Sequence, residues 1–480
     1  MSILQAMYAG SSALTNLSEA MTVIGNNLAN ANTTAFKGSR TTFEDVLIQT
    51  VGRSGANSAN QVGTGVALAA VDQDMTQGSF SSTTSATDLA IDGQGFFMVR
   101  DDASSSTGSD GYYYTRAGDF MLDLNGNLVT NSGMILQGWA LDESGLATGG
   151  TTDIDLSAYQ TAEPRQTNLV ELELNLDSTA EIISDTTYPY DPNDPESYNF
   201  QTSVPVYDAQ GERHTLLVHF RKIDDNEWEW HLVAPTEELE GATGTGDYTE
   251  IAQPTTADAT SATYTPGTLT FDTSGYLLTE GSVPLSITFD GSEAQDILFD
   301  FGDALDSYGD STNDYMKADV TDMSFTLTST TGSVDDNTGR LGTVQYATDS
   351  TTLSLDPDGY PTGFLDSISV NSDGSIVGVY TNGESKSLYQ ISLVDFDNEM
   401  NLDQVGSNLF GETNTSGVPR VSEPESGRLG SIISYALEQS NVDMAGEFVQ
   451  MIATQRGFQA NSRIVTVSDG MLEELLALKR

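Results

Sequence analysis

Apolar residues recur every seven positions at both ends of this chain, while the stretch between is polar, β-like and acidic. In residues 1–32, Ile3, Leu17 and Ile24 fall on one heptad position, with Gly10 between them. Met7, Leu14, Met21 and Leu28 fall on the position four further on. In residues 430–480, Leu437, Met444, Met451, Phe458, Val465 and Leu472 keep the same spacing, with Phe448 one turn past Met444. A sustained repeat of seven is coiled-coil spacing, so each end is expected to be a helix that buries a stripe against another helix. Such ends pair with each other or with those of neighbouring copies. This is how a polymer subunit is built.

Charge divides the chain at the same places. The net charge is −52, yet residues 1–71 hold three basic (Lys37, Arg40, Arg53) and three acidic groups, and residues 428–480 hold five and six. The middle, 72–427, carries 10 basic groups against 61 acidic. Near-neutral ends suit close packing on identical copies, and an acidic middle suits a solvated outer surface in a salty medium. Nucleic acid is excluded as a partner, because phosphate contact needs a basic footprint. With no cysteine, disulfides, thiol catalysis and most zinc schemes are excluded too. The start lacks the basic and continuous apolar regions of a cleavable signal peptide. No apolar run approaches the ~18 residues of a membrane span, so we expect no membrane insertion.

Residues 3–30 read as one amphipathic helix that ends where Asn26, Asn27, Asn30 and Asn32 accumulate, since Asn is poor inside a helix and a fair cap. Residues 39–71 read as a connector. From Val71 the period becomes two, and Asn125-Gly126 carries the signal of a type I′ hairpin turn. Similar punctuation stands at Thr273-Ser-Gly275, Asp358-Gly359, Asp373-Gly374 and Asn382-Gly383. We therefore expect a multi-domain, mainly β chain with α-helical termini in nested order. Residues 1–71 form the N-terminal helix and connector, paired with the C-terminus. Residues 72–145 are the first half of an inner antiparallel β domain, and 358–427 the second. Residues 146–357 form one or two inserted outer acidic β domains, and 428–480 the C-terminal helix. About eight apolar side chains at ~2 kcal/mol each scarcely match the entropy of ordering ~30 residues, so the ends are expected to fray in the monomer and order on assembly.

No catalytic, cofactor or metal site is expected. His214, His219 and His231 match no zinc spacing and fall in strand-like sequence beside Trp228 and Trp230. Asp123-Leu-Asn-Gly-Asn127 lacks the 12-residue calcium ligand series. Gly93-Gln-Gly95 has Met98 where a dinucleotide fingerprint needs its third glycine. With 61 acidic residues in the middle, carboxylate pairs are unavoidable and argue for no glycosidase.

Gly25-Asn-Asn-Leu-Ala-Asn-Ala-Asn-Thr-Thr-Ala-Phe-Lys37 closely resembles the signature of the bacterial flagellar rod and hook axial proteins. That signature is a helix ending in an Asn-rich segment, followed here by Thr33, Phe36 and Lys37. Thr87–Phe97 and Tyr114–Phe120 resemble the start of the family's inner β domain, and Ile376–Gly383 with Gly406–Phe410 its return half. Ser440–Phe448 and Gln455–Ser462 resemble its C-terminal helix. A long central insertion, and Phe43-Glu-Asp-Val-Leu47, look like the hook-type members rather than the shorter rod-type ones. The resemblance implies a non-enzymatic subunit that polymerises into a curved, flexible tube transmitting motor torque as a universal joint. It implies a helical homopolymer as the first partner, then the distal rod, a hook cap, a hook–filament junction protein and the flagellar export apparatus. It also implies an extracellular place on the flagellum, reached without a cleavable signal peptide. The cysteine–lysine cross-link of some relatives is impossible here. The alternatives are a distal-rod-like protein, a filament–hook adaptor, and a secreted acidic β protein that binds polysaccharide.

Overall fold

The computed structural model describes residues 3–46, 48–53, 59–63, 65–101, 111–142, 145–183, 188–240, 246–251, 267–281, 284–302 and 342–478. Leu47 of the connector motif and most of the loop at 240–265 lie outside them. The chain divides into two compact units. The first comprises Met1–Gln160, Asp366–Val379 and Ser385–Arg480, and the second Thr161–Leu365 with Tyr380–Glu384. The fold is mainly β with helical termini that pack together, and the first unit draws on both halves of the sequence.

Helix α1 spans Ile3–Ala29 and helix α2 spans Met444–Leu478. They run antiparallel: a Cβ on Gly10 would meet Val465, one on Gly457 would meet Leu17, and the Asn27 side chain bonds Glu447. Leu437, which the seven-residue spacing assigns to the helix, lies instead in the strand Ala436–Glu438, paired with Ser81. The helix begins later because Asp443 caps it: its carboxylate accepts from Ala445 N–H and its carbonyl from Glu447 N–H. Residues 428–443 are thus not helical; Ser431–Ser434 and Ala436–Glu438 pair with Leu89–Asp92 and Phe80–Ser82.

The inner sheet alternates strands from the two halves. In spatial order it runs Ser375–Tyr380, Ser385–Ile391, Ile135–Leu141, Phe96–Arg100, Tyr112–Thr115, Leu409–Gly411 and Asp403–Gly406. Side chains alternate to opposite faces, so Phe97 enters a core with Ile91, Leu136 and Ile391, and Phe96 a second core with Phe396 and Phe410. Both faces are covered, which explains the unbroken apolar run Phe96–Val99. The connector folds back as an arm in which Ser39–Asp45 pairs with Val66–Gln73 and Ile48–Arg53 with Ala59–Gly63.

The Asn125-Gly126 turn is not type I′. Leu122 pairs with Leu128, leaving a five-residue loop in which Gly126 has φ +92° while Asn125 stays out of the left-handed region. The cause is Asp123, whose carboxylate accepts the N–H groups of Asn125 and Asn127 and so takes the bonds a tighter turn would leave open. Asp208 and Asp272 close their turns the same way. Part of the chain's acidity is turn chemistry.

The second unit holds a six-stranded and a four-stranded sheet. Leu172 and Phe299 of the smaller sheet share one core with Phe220, Trp228 and Trp230 of the larger, so its described residues form a single domain core. All three histidines lie buried in strands of the larger sheet.

Candidate functional site, a polar clamp at the base of the terminal helices

Where α1 ends, buried polar groups tie five distant segments together. Lys37 Nζ donates to Glu438 Oε1 at 2.7 Å and to Thr76 O at 2.8 Å, and both charged side chains are essentially without solvent contact, at 1% and 0% exposure. Gly78 N–H donates to the same Glu438 oxygen, and Arg116 lies 3.8 Å from the other. Arg116 also donates to Gly93 O and sits over the Phe96 ring. Burial holds the Lys37 ammonium below its ordinary pKa, an effect the Glu438 carboxylate opposes; burial lowers Arg116 likewise.

Two asparagines complete the clamp. Asn27 is buried, donating to Ser39 O and Glu447 Oε1 while accepting from Ser39 N–H. Asn441 accepts from Gly38 N–H and donates to Asp74 O and Thr76 O. The other asparagines of the motif act locally. Asn30 bonds back to Asn26 and receives Thr33, shaping the bend, while Asn32 is exposed. Ala35, at φ +54°, and buried Phe36 turn the chain so that Lys37 points inward; Ala35 N–H donates to Glu438 O. Glu438, Arg116 and Asn441 carry much of the clamp, and no local pattern singles them out as partners of Lys37.

Above the clamp, the helices meet along a seam that is only half apolar. Facing α2, α1 presents Gly10, Ala20, Ile24 and Asn27 as buried residues, with Met7, Leu14, Leu17, Met21 and Leu28 half-buried; the Ile3 side chain lies outside the described residues. On α2, Met451, Val465 and Leu472 are half-buried, but Thr454 and Ser468 are buried more deeply. Thr454, Asn461 and Ser468 recur every seven residues and form the other half of the seam. Phe458, Met444 and Phe448 are exposed.

The apolar residues of α2 mostly face outward. Met444, Phe448 and Ile452 follow one line along the helix, and Ile464, Val467 and Met471 another, each exposed by 43–60%. Lines of large apolar side chains left bare on a helix mark a surface suited to cover by another apolar surface. α1 shows the opposite: apart from Tyr8, its outward face is Ser11, Thr15, Ser18, Glu19, Thr22, Gly25, Asn26 and Ala29.

Among the described residues, no three or more His, Asp or Glu side chains are grouped to hold a metal. Trp228 and Trp230 are fully buried, so neither offers a ring face to a sugar. Helices at both termini, an inner β domain interleaved from two halves and the Asn-rich clamp are the class of arrangement that a resemblance to the flagellar axial proteins implies. Four family models match in chain order: the flagella basal body rod protein at 7–37, the flagellar hook protein FlgE/F/G D1 domain at 90–183, the flagellar basal body protein FlaE D2 domain at 175–360, and the flagellar basal body rod FlgEFG protein C-terminal at 433–478. The chain is 32% identical to the flagellar hook protein FlgE of Treponema pallidum over 500 residues, covering all of both chains. It is 32% identical to that of Salmonella typhimurium over 488 residues, again covering all of both, and 30% identical to that of Borreliella burgdorferi, covering 99% of this chain. The chain belongs to the flagellar hook protein FlgE family, as a structural subunit of the bacterial flagellar hook.

Proposed function

We propose that this subunit polymerises through α2, whose bare apolar faces become buried against the terminal helices of neighbouring copies. The observation that supports this is the inverted distribution on α2, with small polar residues in the seam against α1 and large apolar ones outside it. In the resulting tube the terminal helices form the inner wall. The β units form outer shells whose small polar surfaces slide as the curved hook rotates and carries torque to the filament. The distal rod, hook cap, hook–filament junction protein and export apparatus are its further partners. It works outside the cell, as part of the flagellum.

The test is electron microscopy and sedimentation of the full chain beside Ile452→Gln and Val467→Gln. Both variants should fold with an unchanged thermal midpoint and fail to form tubes under salt that polymerises the parent. Tubes formed equally well by both variants would remove α2 from the assembly.

A further inference from the structure

In the second unit, residues 188–198 cross the outer face of the larger sheet and are fastened there by two histidines. His219 and His231 lie directly opposite each other on the strands Arg213–Asp224 and Glu227–Pro235. The Tyr190 ring stacks on His231 at 3.7 Å with the planes 10° apart, and its hydroxyl bonds His219 Nδ1 at 2.9 Å. Tyr198 stacks on His219 at 3.9 Å. Elsewhere the segment is held by Arg221, which donates to Tyr188 O, and by Asn193, which exchanges two bonds with the Tyr248 backbone.

The imidazole Nε2 atoms of both residues are buried with no hydrogen-bond partner among the described residues. Neutral imidazoles tolerate this; a charged one does not, because a charged N–H donor without an acceptor bears the full cost of desolvation. The two histidines differ in their surroundings. His231 has Glu250 at 2.6 Å on Nδ1 and Glu229 at 4.0 Å on Nε2. His219 faces the Tyr190 hydroxyl and the Tyr198 ring, pairs across the strand with uncharged Gln201, and has His231 as its ionisable neighbour. Burial first, and His231 second, push His219 down to about 4. The other charged groups on the elements packed here include Arg221, 4.0 Å from Glu229, and Asp191, Asp194 and Glu196 on the segment itself. Burial holds the Tyr190 pKa above its ordinary value, so Tyr190 stays neutral throughout.

We propose that residues 188–198 are an acid-released strap, latched over the sheet on the rings of His219 and His231 and unlatched when His219 takes a proton. Lifting the strap lets water reach the charged imidazole, whereas keeping it shut leaves that charge dry. With the closed imidazole titrating at about 4 and the opened one near an ordinary ~6.5, strap opening becomes roughly 30-fold more favourable between about pH 7.5 and about pH 5.

The experiment is amide hydrogen exchange on the full chain at those two pH values, corrected for the chemical exchange rate, with the strand Leu169–Asn175 of the smaller sheet as internal control. Protection across 188–198 should fall roughly 30-fold at the lower pH while the control strand keeps its protection. In His219→Gln, which cannot charge, the strap should be looser at neutral pH and show no such change. Protection that is independent of pH, equal loss in the control strand, or a His219→Gln variant that keeps the parent's pH dependence would each overturn the proposal.

Discussion

Replacing Lys37 by Met tests whether the clamp organises the base of the helices. Breaking a buried ion pair from one side costs ~3–5 kcal/mol, because a charge is left buried and unpaired. Here the lower end applies. Without Lys37, Glu438 Oε1 still receives Gly78 N–H, Arg116 stays 3.8 Å from Oε2, and Thr76 O still receives Asn441. We expect Lys37→Met to destabilise the first unit by about 3 kcal/mol, read as a lowered urea midpoint at unchanged slope. Adding Glu438→Gln keeps an acceptor for Gly78 but leaves buried Arg116 without its carboxylate, so the double variant should lose clearly less than the sum of the two single variants. The sign of the pH effect follows from the lowered Lys37 pKa. Above that pKa and below 10.5 the unfolded chain binds the extra proton, so Lys37 burial costs stability at neutral pH and the cost fades as pH rises toward 10.5. A loss under about 1 kcal/mol in the single variant, or a double-variant loss equal to the sum of the two single losses, would refute the assignment of Lys37 and Glu438 as one coupled unit.

Glu171 lies between Asp300 and Asp356 in register on neighbouring strands, and burial and those two carboxylates, in that order, raise its pKa. Glu171→Gln should therefore raise the neutral-pH melting midpoint at low salt, by ~0.2–1 kcal/mol, and the gain should shrink in ~1 M salt and as pH falls through the raised pKa. A Cβ on Gly10 would stand 3.0 Å from Val465 Cγ2, so Gly10→Leu should wedge the seam open at a cost of ~1–3 kcal/mol, seen as lost helical signal on circular dichroism. Amides of residues 5–23 should exchange quickly in dilute monomer and slowly in assembled tubes; strong protection in the monomer would show that the helix pair stands alone.

The ends were the most legible part of the chain because a period of seven is a signal no strand needs to produce. It overreached at Leu437, which keeps the spacing by coincidence and pairs as a strand residue. It also caught only half the α2 seam. Thr454, Asn461 and Ser468 keep a period of seven as well, but polar residues are assigned to the solvent face, and only the facing Gly10 and Ala20 explain why small polar groups fit there. Among the motif asparagines, nothing local separates buried Asn27 from exposed Asn26 and Asn32. Its partners are Ser39 and Glu447, and the second lies 420 positions away. Glu438 could not be chosen among so many acidic residues until the topology brought Lys37 to it. The Asn-Gly turn was misjudged for a different reason, since the carboxylate of Asp123 closes the loop before the dipeptide can set its type.

The clamp and the bare helix have complementary tasks. Half-polar seams are weak: fixing α1 and α2 costs ~1–2 kcal/mol per residue in backbone entropy, and a seam containing Gly10, Thr454, Asn461 and Ser468 returns little apolar burial against it. The six outward apolar side chains of α2 in its two lines, each about half exposed, hold on the order of 1 kcal/mol apiece in unburied surface, released only when another helix covers them. The clamp lies below the helices, in a dry polar site whose bonds run to the inner β domain. It fixes where both helices begin and the direction in which they leave that domain. In the proposed assembly a subunit would arrive with its helices aimed but loosely paired, and neighbouring copies would supply the burial that orders them. A fully apolar seam would satisfy α2 within its own chain and remove that incentive, which is a physical reason for a polymer subunit to keep threonine, asparagine and serine where an isolated coiled coil would place leucine.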